Sequence, residues 1–148
     1  MSYAEWIDAG EKFTEAYQTF CLPVCKKYHL KQSALDIILF LANHPLHNTA
    51  RDISRIRGIK SGTVSVTLEN LIQIGYLVRE NDVQDRRIQR LKLTAQAAPL
   101  VLEGQQQQQL FREAIAKNLT PEDLQTFARI TRQLIENAEQ LNHPNGSF

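Results

Sequence analysis

The spacing of apolar residues changes period twice along the chain, and the changes mark out its parts. Residues 3–28 carry Trp6, Phe13, Tyr17, Phe20, Leu22, Val24 and Cys25 at helical spacing among charges. That stripe is wide enough to meet more than one neighbour. Pro23 removes a backbone donor and predicts a bend. A second helix is expected over 31–43, with Leu35, Ile38, Leu39 and Leu41 inward, stopped by His44-Pro45. Asn48 or Thr49 caps a short helix reaching Arg57, with Ile53 and Ile56 inward, and Gly58 ends it. The next helix opens near Ser61 and ends at Gly75, burying Val64, Leu68, Leu71 and Ile72. Its other face is Lys60, Ser61, Thr63, Ser65 and Thr67, free of acid until Glu69.

The period then falls to two. Residues 76–80 and 90–94 read as paired strands, and the charged stretch 81–89 between them is too long for a tight turn. From Thr94, a helix cap, the helical period returns through Leu100, Val101, Leu102, Leu110, Phe111 and Ile115 to about Lys117. Its glutamine run, 105–109, is expected on a solvated face. Thr120-Pro121-Glu122-Asp123 starts a last helix, with proline at the first position and two acids at the positive dipole end. That helix uses Leu124, Phe127, Ile130, Leu134, Ile135 and Leu141; residues 142–148 are expected to fray. The fold class is therefore mainly α with a small β-hairpin: a winged helix-turn-helix flanked by long helices.

Composition narrows the setting. A chain of 148 residues, 43% hydrophobic and 22% charged, can bury a core without disulfides or a structural metal, and wholesale disorder is excluded. The densest apolar stretch, 34–42, is half the ~20 residues a bilayer demands and contains Asp36, so no membrane partner is expected. The acidic start with Trp6 does not read as a signal peptide. Two cysteines make no disulfide framework, and a reducing cytoplasm is the expected compartment. Charge is uneven: residues 31–94 hold ten basic and six acidic groups, +4, against −1 before and −2 after.

That positive segment is where a helix would enter DNA. A major groove admits one helix, and small polar side chains on it reach base edges and phosphates. Thr63, Ser65 and Thr67 suit this, with Lys60 and Ser61 at the phosphate-binding end. Arg86 and Arg87 stand on the loop, where an arginine can enter a narrow minor groove. Arg57, with Arg51 and Arg55, adds candidate phosphate contacts. A polar helix face is ordinarily just solvated; the wing that follows it favours the DNA reading.

Other chemistry is sparse. Cys21, Cys25 and His29 stand four apart and could supply metal ligands, but Pro23 disturbs the register and core packing is the favoured reading. His44 and His47 read as loop residues. No phosphate-cradling glycine loop, zinc-protease helix or nucleophile elbow is present, and Glu122-Asp123 is explained by the helix dipole. Neither an enzyme nor a cofactor or metal site is expected.

Residues 85–94, Asp-Arg-Arg-Ile-Gln-Arg-Leu-Lys-Leu-Thr, resemble the wing signature of the MarR family of bacterial transcriptional regulators: Asp-x-Arg, three residues, Leu-x-Leu-Thr. Residues 58–71 and 75–78 resemble that family's recognition helix and first wing strand, and the order of elements is similar throughout. The resemblance implies an N-terminal dimerisation helix (1–30), a winged DNA-binding domain (31–94) and C-terminal dimerisation helices (95–148) in one compact unit. It implies a homodimeric repressor on double-stranded DNA with a pseudo-palindromic operator. A small-molecule effector would bind between the dimerisation helices and the winged domain, near Trp6, Tyr17 or Tyr28. Asp85 would pair with Arg87 to hold the wing. The helices outside the winged segment also carry more apolar surface than that segment can cover, as a two-fold dimer requires. Val66 departs from the family, which often has arginine or another long polar residue there; valine can touch a thymine methyl but makes no bidentate contact to guanine. The alternatives are an interaction or ligand-binding module that lost specific DNA recognition, or a thiol- or metal-responsive sensor through Cys21 and Cys25.

Overall fold

The most apolar helix of the sequence becomes the centre of the core. In a computed structural model, which describes residues 2–142, α2 (Gln32–Asn43) buries Ala34, Leu35 and every residue from Ile37 to Leu41. Such all-round burial needs neighbours on several sides. They are α1 (Tyr3–Lys27), α4 (Ser61–Gln73), the hairpin and the turn before α4. The chain packs as two units, one up to Phe111 and one from Arg112 onward.

α1 starts with a capping box: Ser2 accepts from the Glu5 backbone N–H at 3.3 Å, and Glu5 accepts from the Ser2 N–H at 2.6 Å. It buries only Cys21, Val24 and Cys25; Trp6, Ile7 and Phe13 in its first half are exposed. α4 presents Val64, Thr67, Leu68 and Leu71 to the core. It ends in a Schellman turn, with Gly75 at φ 88° donating to Ile72 and Tyr76 donating to Leu71, which reverses the chain into the wing. β1 (Leu77–Asn81) and β2 (Gln89–Leu93) pair antiparallel with Leu77 opposite Leu93. Each strand lies within one residue of its expected place.

α5 (Ala98–Ile115) follows a 3₁₀ turn, Ala95–Ala97. Thr94 does not cap it: the hydroxyl donates to the Gly75 carbonyl at 2.6 Å and so ties the end of β2 to the α4 turn. Gly104 lets α5 approach α2 closely, since a Cβ there would lie 2.7 Å from Leu39 Cδ2. The glutamine run is not wholly solvated. Gln105 donates to Asn43 at 2.9 Å, Asn43 to Gln108 at 3.0 Å, and Gln108 to the Tyr17 hydroxyl at 3.0 Å. Spacing of three puts Gln105 and Gln108 on one face, where they bridge α5 to α2 and α1.

In the second unit α6 (Pro121–Asn142) starts after Thr120, as the sequence predicts, and Asp123 adds a reciprocal cap: Thr120 accepts from its N–H and its carboxylate accepts from Thr120. Leu124, Phe127, Ile130, Leu134, Ile135 and Leu141 are exposed along α6. The expected fraying tail, 142–148, lies outside the described residues apart from the Asn142 backbone. No described helix is long and apolar enough to cross a membrane.

Candidate nucleic-acid interface

Three short pieces set the geometry of the positive segment. Thr49, rather than Asn48, caps α3 (Ala50–Asp52): its hydroxyl accepts from the Asp52 N–H at 3.1 Å, and the Asp52 carboxylate accepts from Thr49 in return. The helix then widens into a π-helical stretch, Ile53–Arg57. Wider turns rotate each residue less than an α-helix does, so Ile56 does not return to the face of Ile53. Ile53 is fully buried, whereas Ile56 is 44% exposed, against the sequence expectation. Arg57, its side chain still 42% exposed, reaches to α2 instead, its Nη2 3.1 Å from Asp36 Oδ2. It is thus paired, where the sequence suggested a phosphate contact. Gly58, at φ 74°, and a Ser54 hydroxyl bond to the Ile59 carbonyl close the turn.

Lys60 precedes α4 in extended conformation, and no side chain caps the helix. The first N–H groups of α4 are therefore open beside a lysine, the arrangement that suits a phosphate. Arg51, Ser54, Arg55, Ser61 and Ser65 line a groove of about 400 Å³ between α3 and α4. Arg51 and Lys60 have no carboxylate partner among the described residues, and Arg55 has only a loose one, Asp52 at 3.9 Å. Ser61, Thr63 and Ser65 are exposed, as the sequence anticipates for an outer face. Thr67 is not: at 8% exposure it packs inward, because three residues after Val64 and four before Leu71 it lies on their side of the helix. Val66 takes the outward place, 64% exposed.

The wing is braced from both ends. Asp82 Oδ1 accepts from the Gln84 and Asp85 N–H groups at 2.9 and 3.0 Å, and Oδ2 accepts from Arg90 Nε at 2.8 Å. These bonds hold the Asp82 carboxyl down at about 2, the Asp85 N–H first and then Arg90. Arg90 also donates to Asn48 at 3.1 Å, and the Asn48 carbonyl accepts from the Leu91 N–H at 2.8 Å. Sequence reading missed Asp82, Arg90 and Asn48. An aspartate two residues before the donor it satisfies is an Asx-turn signal, but Asn48 is far away in the chain. At the tip, Asp85 accepts from the backbone N–H, Nε and Nη2 of Arg87, all at 3.0 Å. This fork lowers the Asp85 carboxyl. It also fixes a guanidinium whose side chain stays 90% exposed. Arg86 beside it is exposed and has no ion-pair partner among the described residues. Glu69 of α4 is engaged by Arg79 of β1 at 2.6 Å, joining α4 to the wing.

The remaining sequence candidates do not converge. Cys21 and Cys25 are buried, and burial pushes both thiols up. His29 lies past the end of α1 in left-handed conformation, off the face the cysteines share. Among the described residues no group of three ligating side chains could hold a metal. Trp6 and Tyr28 are 22 residues apart along one helix, roughly 33 Å, so they line no common pocket within the chain. Tyr17 is held by Gln108, and Tyr28 donates to Glu103 at 2.8 Å.

A helix-turn-helix whose second helix is exposed outward and followed by a braced β-hairpin is a winged-helix architecture. Residues 30–88 match the model of the MarR family. Solved structures extend the likeness to nearly the whole chain. A MarR transcriptional regulator from Methanosarcina mazei Go1 superposes with a TM-score of 0.79 at 15% identity, over 95% of this chain and 94% of that one. The MepR–DNA complex of S. aureus gives 0.68 at 21% identity, over 90% and 94%. Staphylococcus aureus MarR in complex with salicylate and kanamycin gives 0.73 at 22%, over 93% and 92%. The winged segment thus resembles the MarR family, and the chain as a whole shares the fold of these solved regulators.

Proposed function

We propose that this chain is a homodimeric transcriptional repressor that binds a pseudo-palindromic site in double-stranded DNA and is released by a small-molecule effector. The observation that carries the reading is the pairing of an outward, uncharged α4 face with a wing tip where Asp85 holds Arg87 in the open. α4 would enter the major groove, Arg87 the adjacent minor groove, and Lys60, Arg51, Arg55 and Arg86 would meet phosphates. Two proteins of this fold support it by what they hold, one DNA and the other salicylate and kanamycin. A ligand would act by binding the DNA-competent and incompetent dimers unequally. The exposed apolar rows of α1 and of α6 each fit burial in a dimer. The protein would work by binding in the cytoplasm, without a catalytic step.

In vitro selection from a random duplex pool tests the proposal. The expected product is a palindrome with half-sites about one helical turn apart. Weak, salt-sensitive binding without any enriched motif would overturn it in favour of an interaction module. Sedimentation of Phe127→Glu, a change at an exposed α6 position, tests the dimer: it should shift the protein toward monomer.

A further inference from the structure

The first two turns of α4, Ser61 to Leu68, carry no arginine, lysine, asparagine or glutamine. Those are the side chains that make bidentate contacts to guanine or adenine in the major groove. What this face offers is apolar surface. Val66 is 64% exposed and stands clear of the core that takes Val64, Thr67 and Leu68. Thr63, three residues earlier, shares its strip of the helix and is also exposed. Gly62, four residues before Val66, leaves open space where a side chain would stand, so a base edge can come close there. The nearest acid, Glu69, is drawn to Arg79. Cations flank the strip at Lys60, Arg51 and Arg55, suited to the backbone rather than to bases.

An exposed valine in the groove gains only from an apolar partner, and the one apolar group that base edges present there is the C5 methyl of thymine. We infer that Val66, with Thr63 beside it, reads thymine methyl groups, so that each operator half-site carries an A·T pair where α4 docks. This rests on the DNA-binding reading above. It makes the helix a reader of methyl position rather than of hydrogen-bond pattern, and 5-methylcytosine, which carries the same methyl, would be accepted in place of thymine.

The test uses the duplex selected from the random pool, resynthesised with uracil replacing thymine at one half-site position at a time. Removing the methyl under Val66 should weaken binding about fourfold per half-site, and roughly 15-fold when both half-sites are changed. Val66→Ala, with a shorter reach, should narrow the difference between thymine and uracil duplexes at that position. Placing cytosine at that position should weaken wild-type binding, and 5-methylcytosine should restore part of it. Because Val66 is exposed, the variant should keep the wild-type Tm and the wild-type salt dependence of binding. An operator in which uracil is tolerated everywhere, or costs Val66→Ala as much as wild type, overturns the inference and leaves DNA recognition standing. A pool that yields no motif overturns both.

Discussion

Arg87 offers a test in which charge and geometry can be separated. Its guanidinium gives Nε and Nη2 to Asp85 and keeps its other N–H donors free at the wing tip. Each phosphate neutralised by an arginine contributes about 0.9 to the slope of log K against log salt, so a dimer losing both Arg87 side chains loses at most about 1.8. At about 0.1 M salt that slope corresponds to roughly 60-fold weaker binding, a ceiling because Asp85 offsets part of the charge. Arg87→Lys keeps the charge but not the fork: an ammonium cannot span both Asp85 oxygens, and a loose side chain must be ordered on binding. The expected loss is on the order of tenfold with the slope unchanged. Fluorescence anisotropy of a labelled operator between about 0.05 and 0.3 M KCl reads both quantities. Wild-type affinity in Arg87→Lys would refute positioning by Asp85. Wild-type affinity and slope in Arg87→Ala would take the wing away from DNA altogether.

Arg57→Ala leaves Asp36, 15% exposed, without its cation and should lower the unfolding free energy by about 1–3 kcal/mol in urea while sparing the salt slope of DNA binding. A shallower slope would put Arg57 on a phosphate after all. Gly104→Ala drives a methyl against the buried Leu39, and overpacking should outweigh the gain in helix propensity, a net loss of about 1–2 kcal/mol by the same assay. Asp82, held at about 2, contributes stability that is complete above its unfolded value near 3.9 and lost as pH falls toward 2. Protection of the hairpin amides, relative to free-chain exchange at the same pH, should therefore fall over that range, and Asp82→Asn should show the lower protection already at neutral pH. With burial raising both thiols, Cys21 and Cys25 should resist a thiol-specific disulfide reagent at pH 7 until urea unfolds the protein. Fast reaction in the native state would revive the thiol-sensor alternative.

Period and punctuation in the sequence were enough to place every long element. The helical period announced α2 with one inward face, Leu35, Ile38, Leu39 and Leu41, though not its burial on every side; Gly75 and the change to period two announced the wing. Legibility failed where a local rule met a distant partner. Thr94 has the chemistry of a cap, yet Gly75 lies within reach of its hydroxyl once the hairpin closes. The glutamines look solvated until Asn43 and Tyr17 are brought to them by the fold. On α4, alternation suggested Thr63, Ser65 and Thr67 as one set, but a helix turns about 100° per residue, which buries Thr67 and brings Val66 out. The π-helical widening at 53–57 has no period of its own in so short a stretch, so the pairing of Arg57 with Asp36 could not be read.

The wing shows the same division more sharply. Its motif specifies Asp85, Arg87 and the Leu-x-Leu-Thr strand, the parts that set the tip and the register. Arg90 falls in the unspecified gap, yet it joins Asp82 at the root of the loop to Asn48 before α3. A hairpin of two strands is marginal alone. The loop can therefore offer Arg87 at a fixed place only because its root is tied to the helix-turn-helix through Arg90, Asn48 and the Leu91 N–H. Removing Arg90 should thus loosen the wing and cost DNA affinity without removing a DNA contact. Its signature would be Arg90→Lys, which retains charge but loses the two-partner fork and should bind more weakly with the wild-type salt slope.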